Sequence, residues 1–185
     1  MEQKILYFGY GANRDPKMME WITGNKDLVG KPGILKGYAL CIQRKDQVPD
    51  EVSITAPAPL SARQLLDNWP ETFESYNIKK DSTGEVYGTV WVLTPQDREL
   101  VRDWELIDFG WYKDIATKVQ TEEGQILEVQ TEGMREDQQF DREVDGKNYE
   151  TWLQPPEDFK RIATRSREEY FARIEGSTKT PEKVL

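Results

Sequence analysis

The chain has 185 residues, with 25 Lys plus Arg against 34 Asp plus Glu, no histidine and a formal charge of −9. Its length fits a single domain with a proper core, and although it is 32% charged, its six Trp, eight Tyr and six Phe are residues that disordered chains lack. Without histidine there is no Ser-His-Asp or Cys-His relay and no His-ligated metal, so acid–base work falls to carboxylates, Lys, Tyr or backbone. The acidic balance argues against a nucleic-acid partner, which needs a basic face.

Met1-Glu2-Gln3-Lys4 leads directly into a strand with no cationic leader, and nowhere do about 18 apolar residues run together. The expectation is a cytoplasmic protein without a membrane partner. Lys4 to Phe8 reads as the first strand, broken by Gly9-Tyr10-Gly11-Ala12-Asn13. Asp15 before Pro16 is an N-cap with proline at the first helical position, opening a short helix that Gly24-Asn25 stops. A second strand covers about Ile34 to Gln43, where Cys41 reads as a small buried apolar residue of a reducing compartment.

The segment from Asp46 to Pro70 is punctuated by proline. Ser61 to Trp69 could form one helix within it, and the whole could be an insertion or a flap over a site. Thr72 to Lys79 and Glu85 to Leu93 read as two strands paired around Asp81-Ser82-Thr83-Gly84. Thr94-Pro95-Gln96-Asp97 starts a helix that should stop before Gly110. Tyr112 to Val119 and Gln125 to Thr131 form a hairpin across Thr121-Glu122-Glu123-Gly124. After Pro155-Pro156 a last helix carries Phe159, Ile162, Ala163, Tyr170 and Ile174 at helical spacing, which suggests packing on the sheet. Its basic residues Lys160, Arg161, Arg165 and Arg167 read as a solvated face. One domain over 1–175 with a loose tail over 176–185 follows, and the fold class is α+β with a mixed or antiparallel sheet.

Two places could carry chemistry. Gly9-Tyr10-Gly11 is not a dinucleotide fingerprint, because the third glycine position is Arg14. It is either a plain tight turn or one whose backbone N–H groups converge on an anion or carbonyl oxygen. The run Asp103, Glu105 and Asp108 lies beside Trp104, Phe109, Trp111 and Tyr112. It is either a solvent-facing helix end or a site where aromatic surface strips water from Glu105 and raises its pKa.

Together, Tyr7-Phe8-Gly9-Tyr10-Gly11-Ala12-Asn13 resembles the Y-F-x-Y-G-S-N signature of the γ-glutamylcyclotransferase-like family. Leu35-Lys36-Gly37-Tyr38-Ala39-Leu40 and Glu85-Val86-Tyr87-Gly88-Thr89-Val90-Trp91 resemble two further strands of that family, and Glu105, followed by Tyr112, matches its catalytic Glu and substrate-lining Tyr. The resemblance covers roughly residues 4 to 174. It implies a small β-barrel-like sheet flanked by helices, and cofactor-independent cyclisation of a γ-glutamyl amide to 5-oxoproline. Glu105 would be the general acid/base, with Tyr10, Gly11, Ala12, Asn13 and Tyr112 binding substrate and no metal. The chain departs from the pattern at Ala12 for Ser, at Glu105-Leu106 for E-G, at Glu132 and Phe159 where some members carry tyrosines, and in the longer 46–70 segment. These departures motivate two alternatives: a non-catalytic or regulatory protein retaining the pocket, and a carboxylate-dependent amide hydrolase. The leaving group and oligomeric state stay open.

Overall fold

The structure, a computed structural model, describes residues 1–178. Strand β1 spans Ile5–Gly9 and feeds a 3₁₀ turn at Ala12–Arg14. Successive strand residues point to opposite faces, so Phe8 enters one core while Tyr7 enters another, and neither is exposed. Gly9 has to be glycine for space. A Cβ there would lie 2.6 Å from the carbonyl oxygen of Asn13, which the turn folds back against the strand.

Helix α1 follows at Pro16–Thr23 with the cap expected from sequence: Asp15 Oδ1 accepts the N–H of Lys17 at 2.8 Å. Gly24 ends it in the left-handed conformation at φ 75°. The remaining elements are β2 at Gly30–Arg44, β3 at Glu74–Leu93, α2 at Pro95–Trp104, β4 at Tyr112–Thr121, β5 at Ile126–Met134, β6 at Arg142–Val144 and α3 at Pro156–Thr178. Helix α2 starts in the capping box read from Thr94-Pro95-Gln96-Asp97, where Thr94 and Asp97 each accept the other's N–H at 3.1 Å.

Strand β1 lies antiparallel to β3 and parallel to β5. β5 pairs with β4, β4 with β2, and β2 with β3, all antiparallel, which closes a five-stranded mixed barrel. β6 adds to β2 beside Leu40–Ile42. The barrel interior holds Phe8, Leu35, Leu40, Ile78, Val86 and Val119. Outside it, Tyr7 and Trp91 join Met18, Met19, Leu100 and Phe159 in a second core beneath the helices.

Three expectations are corrected. Residues 72–79 and 85–93 do not pair with one another: β3 is continuous, and both halves pair with β2, from Arg44↔Glu74 to Tyr38↔Lys80 and again from Lys36↔Glu85. Residues 81–84 make a bulge opposite Gly37, in which Asp81 Oδ1 accepts from both the N–H and Oγ1 of Thr83 at 3.0 Å. Ser61 to Trp69 is not one helix but a chain of short turns around Gln64–Leu66, because Arg63 donates to the carbonyls of Val48 and Asp46 and ties the segment back on itself. Helix α3 lies closest to α1 and α2, and its Phe159, Ile162 and Ala163 enter the core that Tyr7 and Trp91 of the sheet also share, as expected. Its Arg167 is not a free surface charge, since it donates to the carbonyls of Glu20 and Trp21 at the end of α1.

Helix α3 continues through Thr178, past the expected boundary at Gly176; residues 179–185 of the expected loose tail lie outside the described residues. Among the described residues no helix is long and apolar enough to cross a membrane. The contact between Gly9 and Asn13 makes Gly9→Ala destabilising by about 1 to 3 kcal/mol, as overpacking against backbone does. Urea denaturation should show a lower midpoint with an unchanged slope, and an unchanged midpoint would refute the steric argument.

Candidate functional site

Glu105 occupies the C-cap of α2, and the chain turns immediately beyond it. The N–H of Leu106 donates to the carbonyl of Asp103 at 3.0 Å and that of Ile107 to the carbonyl of Arg102 at 3.2 Å, the paired bonds of a Schellman ending. Such an ending needs a left-handed residue, and Leu106 supplies it at φ 51° where glycine would be unstrained. The conformation costs a branched residue about 1 to 2 kcal/mol. Leu106 offsets that by packing its side chain against the core beneath the helices. Leu106 at the position of the glycine in E-G therefore still permits the turn that sets where Glu105 points.

The Glu105 carboxylate accepts a short hydrogen bond from Asn13 Nδ2, which also donates to Tyr7 Oη at 2.9 Å. Tyr7 in turn donates to Glu132 Oε1 at 2.5 Å. Asn13 is itself fixed, since its carbonyl accepts Trp91 Nε1–H at 2.8 Å. Tyr10 donates to the backbone carbonyl of Glu132 at 2.8 Å. Tyr112 donates its one hydroxyl proton to the carbonyl of Tyr76 at 2.6 Å, so Ser75 Oγ, 2.8 Å away, must be the donor to Tyr112.

Charge in this network is poorly solvated. Glu132 is only 2% exposed, and its carboxyl is pushed up to about 7 by burial, against the opposing pull of Arg98 and the Tyr7 hydrogen bond. Burial also holds Glu105 well above the usual carboxylate range, and the negative charge of Glu132 adds to it while Asn13 and Arg98 oppose. Two carboxylates in one water-poor site release their protons as a pair rather than independently. Burial raises the Tyr7, Tyr10 and Tyr112 hydroxyls too, which keeps them neutral donors. Arg98, 2% exposed, bonds Gln130 and Asp114 at 3.0 Å and leaves Nη1 at 3.9 Å from Glu132 Oε2. Neither of those two facing atoms has a hydrogen-bond partner among the described residues.

A cavity of about 120 Å³ opens between the turn, the end of α2 and the start of β4. Tyr10, Gly11, Ala12 and Asn13 line it together with Glu105 and Tyr112, so all six residues selected from sequence converge there. Among the described residues, the N–H groups of Gly11, Ala12 and Asn13 have no backbone acceptor outside the regular elements, as expected where a tight helical turn begins. Glu132 and Phe159, flagged as departures, also face the cavity. Leu65, Leu66 and Trp69 from the 46–70 segment form one wall, which is consistent with its reading as a covering flap.

Sequence reasoning did not assign roles to Tyr7, Glu132 or Arg98. Alternation on β5 gave no signal for Glu132, which shares the parity of the exposed Ile126, Glu128 and Gln130 and is buried all the same. Among the described residues no group of three or more His, Cys, Asp or Glu is placed to hold a metal ion. Cys41 is fully buried, its thiol faces the carbonyl of Asn77, and burial pushes it up to about 12, as an inert core thiol should be.

The sequence matches no family model and no curated protein. The fold does have solved counterparts. A protein titled "Gamma-glutamyl cyclotransferase" superposes with a TM-score of 0.57 at 15% identity, over 99% of this chain and 92% of that one. An uncharacterized protein from Homo sapiens, loc79017, superposes with a TM-score of 0.58 at 16% identity, over 100% of this chain and 92% of that one. At such identities what is shared is architecture, and by that measure the chain has the fold of the γ-glutamylcyclotransferase-like proteins.

Proposed function

We propose that the protein is a cofactor-independent cyclotransferase that converts a γ-glutamyl amide into 5-oxoproline and a free amine. The observation that carries this reading is the Glu105 carboxylate, held by Asn13 inside the cavity beside the glycine turn. The reaction needs no external nucleophile. The substrate's α-amine attacks its own γ-carbonyl, and effective molarities of about 10⁵ to 10⁸ M are accessible to well-oriented intramolecular attack. A histidine-free site is enough for that task, because the protein only holds the folded conformer and moves protons.

Glu105 takes a proton from the substrate ammonium, and the neutral amine then forms the new C–N bond. As the tetrahedral centre collapses, the old C–N bond breaks. Across the reaction two protons leave the attacking nitrogen and two reach the departing one, so the amine is released as its ammonium and Glu105 ends as it began. A carboxylate whose proton affinity is raised by burial is a better base for the first step and still a competent acid for the second. The backbone N–H groups of the turn hold the γ-glutamyl end and stabilise developing oxygen charge, and Tyr112 lines the pocket. Glu132 acts on Glu105 through its charge and through Tyr7 and Asn13. The buried, inert Cys41 fits the cytoplasmic location proposed for the chain.

Glu105→Gln should lower 5-oxoproline release from a γ-glutamyl substrate by about 10² to 10⁴. Activity within threefold of the parent removes Glu105 from the mechanism. Thermal stabilisation by γ-glutamyl compounds without any product would instead assign a binding protein.

Glu105 must be ionised to accept the first proton, so kcat/KM should rise with pH on an acid limb displaced above the ordinary carboxylate range. Glu132→Gln removes a neighbouring negative charge and lowers the proton affinity of Glu105, so that limb should move to lower pH. A limb that stays in place or moves up contradicts the coupling.

A further inference from the structure

Every γ-glutamyl amide brings the same carboxylate and ammonium on its glutamyl half, and compounds differ in the amine that leaves. The cavity's charges bear on that difference. Its cations among the described residues are Arg165 and Arg173, both on α3. Both already have acidic partners. Arg165 Nε meets Glu169 Oε1 at 2.9 Å, and Arg173 donates to Asp103, whose side chain is 13% exposed. Glu74, Asp103, Glu105, Glu132 and Glu169 outnumber them on the lining.

The wall away from the turn is aromatic and continuous. From Tyr112 beside Glu105, ring contacts pass to Trp111 at 4.6 Å, to Phe73 at 6.3 Å, to Trp69 at 4.9 Å and to Phe159 at 4.9 Å. All five rings are at least nine-tenths buried and face the cavity. A second carboxylate seated against this wall would lose water next to π faces, which carry partial negative charge, and near carboxylates, with no unpaired cation to meet it. An apolar body would instead bury its surface there.

Resting on the cyclotransferase reading, we infer that the substrate is the γ-glutamyl amide of an amine that carries no carboxylate and has an aromatic or other apolar body. Amino acids and peptides as leaving groups are selected against by the charge of the pocket.

A matched pair of compounds tests this: γ-glutamylphenethylamine and γ-glutamylphenylalanine, identical except for one carboxylate. Dissociation constants are measured by calorimetry on Glu105→Gln, so that ligand is not consumed, and 5-oxoproline release is measured on the parent protein. The amine compound should bind at least tenfold more tightly. Equal binding, the reverse preference or no binding of either compound overturns the inference. Glu169→Gln, combined with Glu105→Gln for the binding measurement, frees Arg165 and should strengthen γ-glutamylphenylalanine at least threefold while leaving the amine compound within twofold; no change overturns the charge argument. The tenfold preference with no 5-oxoproline from either compound keeps the selectivity and removes the cyclotransferase reading. Release of 5-oxoproline from both compounds with equal affinities does the opposite.

Discussion

The side-chain amide of Asn13 is the constraint from which the site follows. It has two N–H groups, and both are committed, one to Tyr7 and one to Glu105. Asn13 is 4% exposed, so losing either acceptor would leave a buried donor unpaired, at a cost of about 1 to 3 kcal/mol. One residue thereby joins β1 to the end of α2, through a bond to Glu105 92 residues further along the chain, and through Tyr7 it reaches Glu132 on β5. The Trp91 bond to its carbonyl fixes the backbone from which the amide projects. The close approach of Gly9 to that same carbonyl shows why the turn tolerates so little change.

Around this junction the barrel supplies rigidity and the helices supply the cavity. Strands β1, β3 and β5 set Tyr7, Trp91 and Glu132 on the outer wall beneath the helices, while α2 delivers Glu105 from its C-terminal end. The carbonyl end of a helix carries partial negative charge. A carboxylate at that end, near a second carboxylate and partly cut off from water, favours its protonated form on all three counts. The positive charge of Arg98, on the same helix, counters this, though its distance from Glu132 leaves the pairing incomplete.

Much of the architecture was legible because its signals are local. The Asp15-Pro16 start, the Thr94–Asp97 capping box and the Gly124 hairpin each depend on residues within one turn of each other, and each forms where expected. The convergence of the early turn with Glu105 was legible through the spacing of family-like motifs rather than through periodicity. Asp81-Ser82-Thr83-Gly84 misled because an Asx turn closes a hairpin and fills a bulge with the same hydrogen bonds, and only the distant β2 decides between them. Glu132 was opaque for a related reason, since its partner Tyr7 lies 125 residues away and no local pattern joins them.

Cys41 offers a practical corollary. The chain's single sulfhydryl is sealed inside the sheet and strongly disfavours its thiolate, so it should ignore alkylating probes while the fold is intact. A cysteine introduced at the exposed Ile54 or Leu60 would then be the sole attachment point for a fluorophore or spin label. The segment that carries Trp69 could then be followed in a single-substitution variant, without any background-removing change.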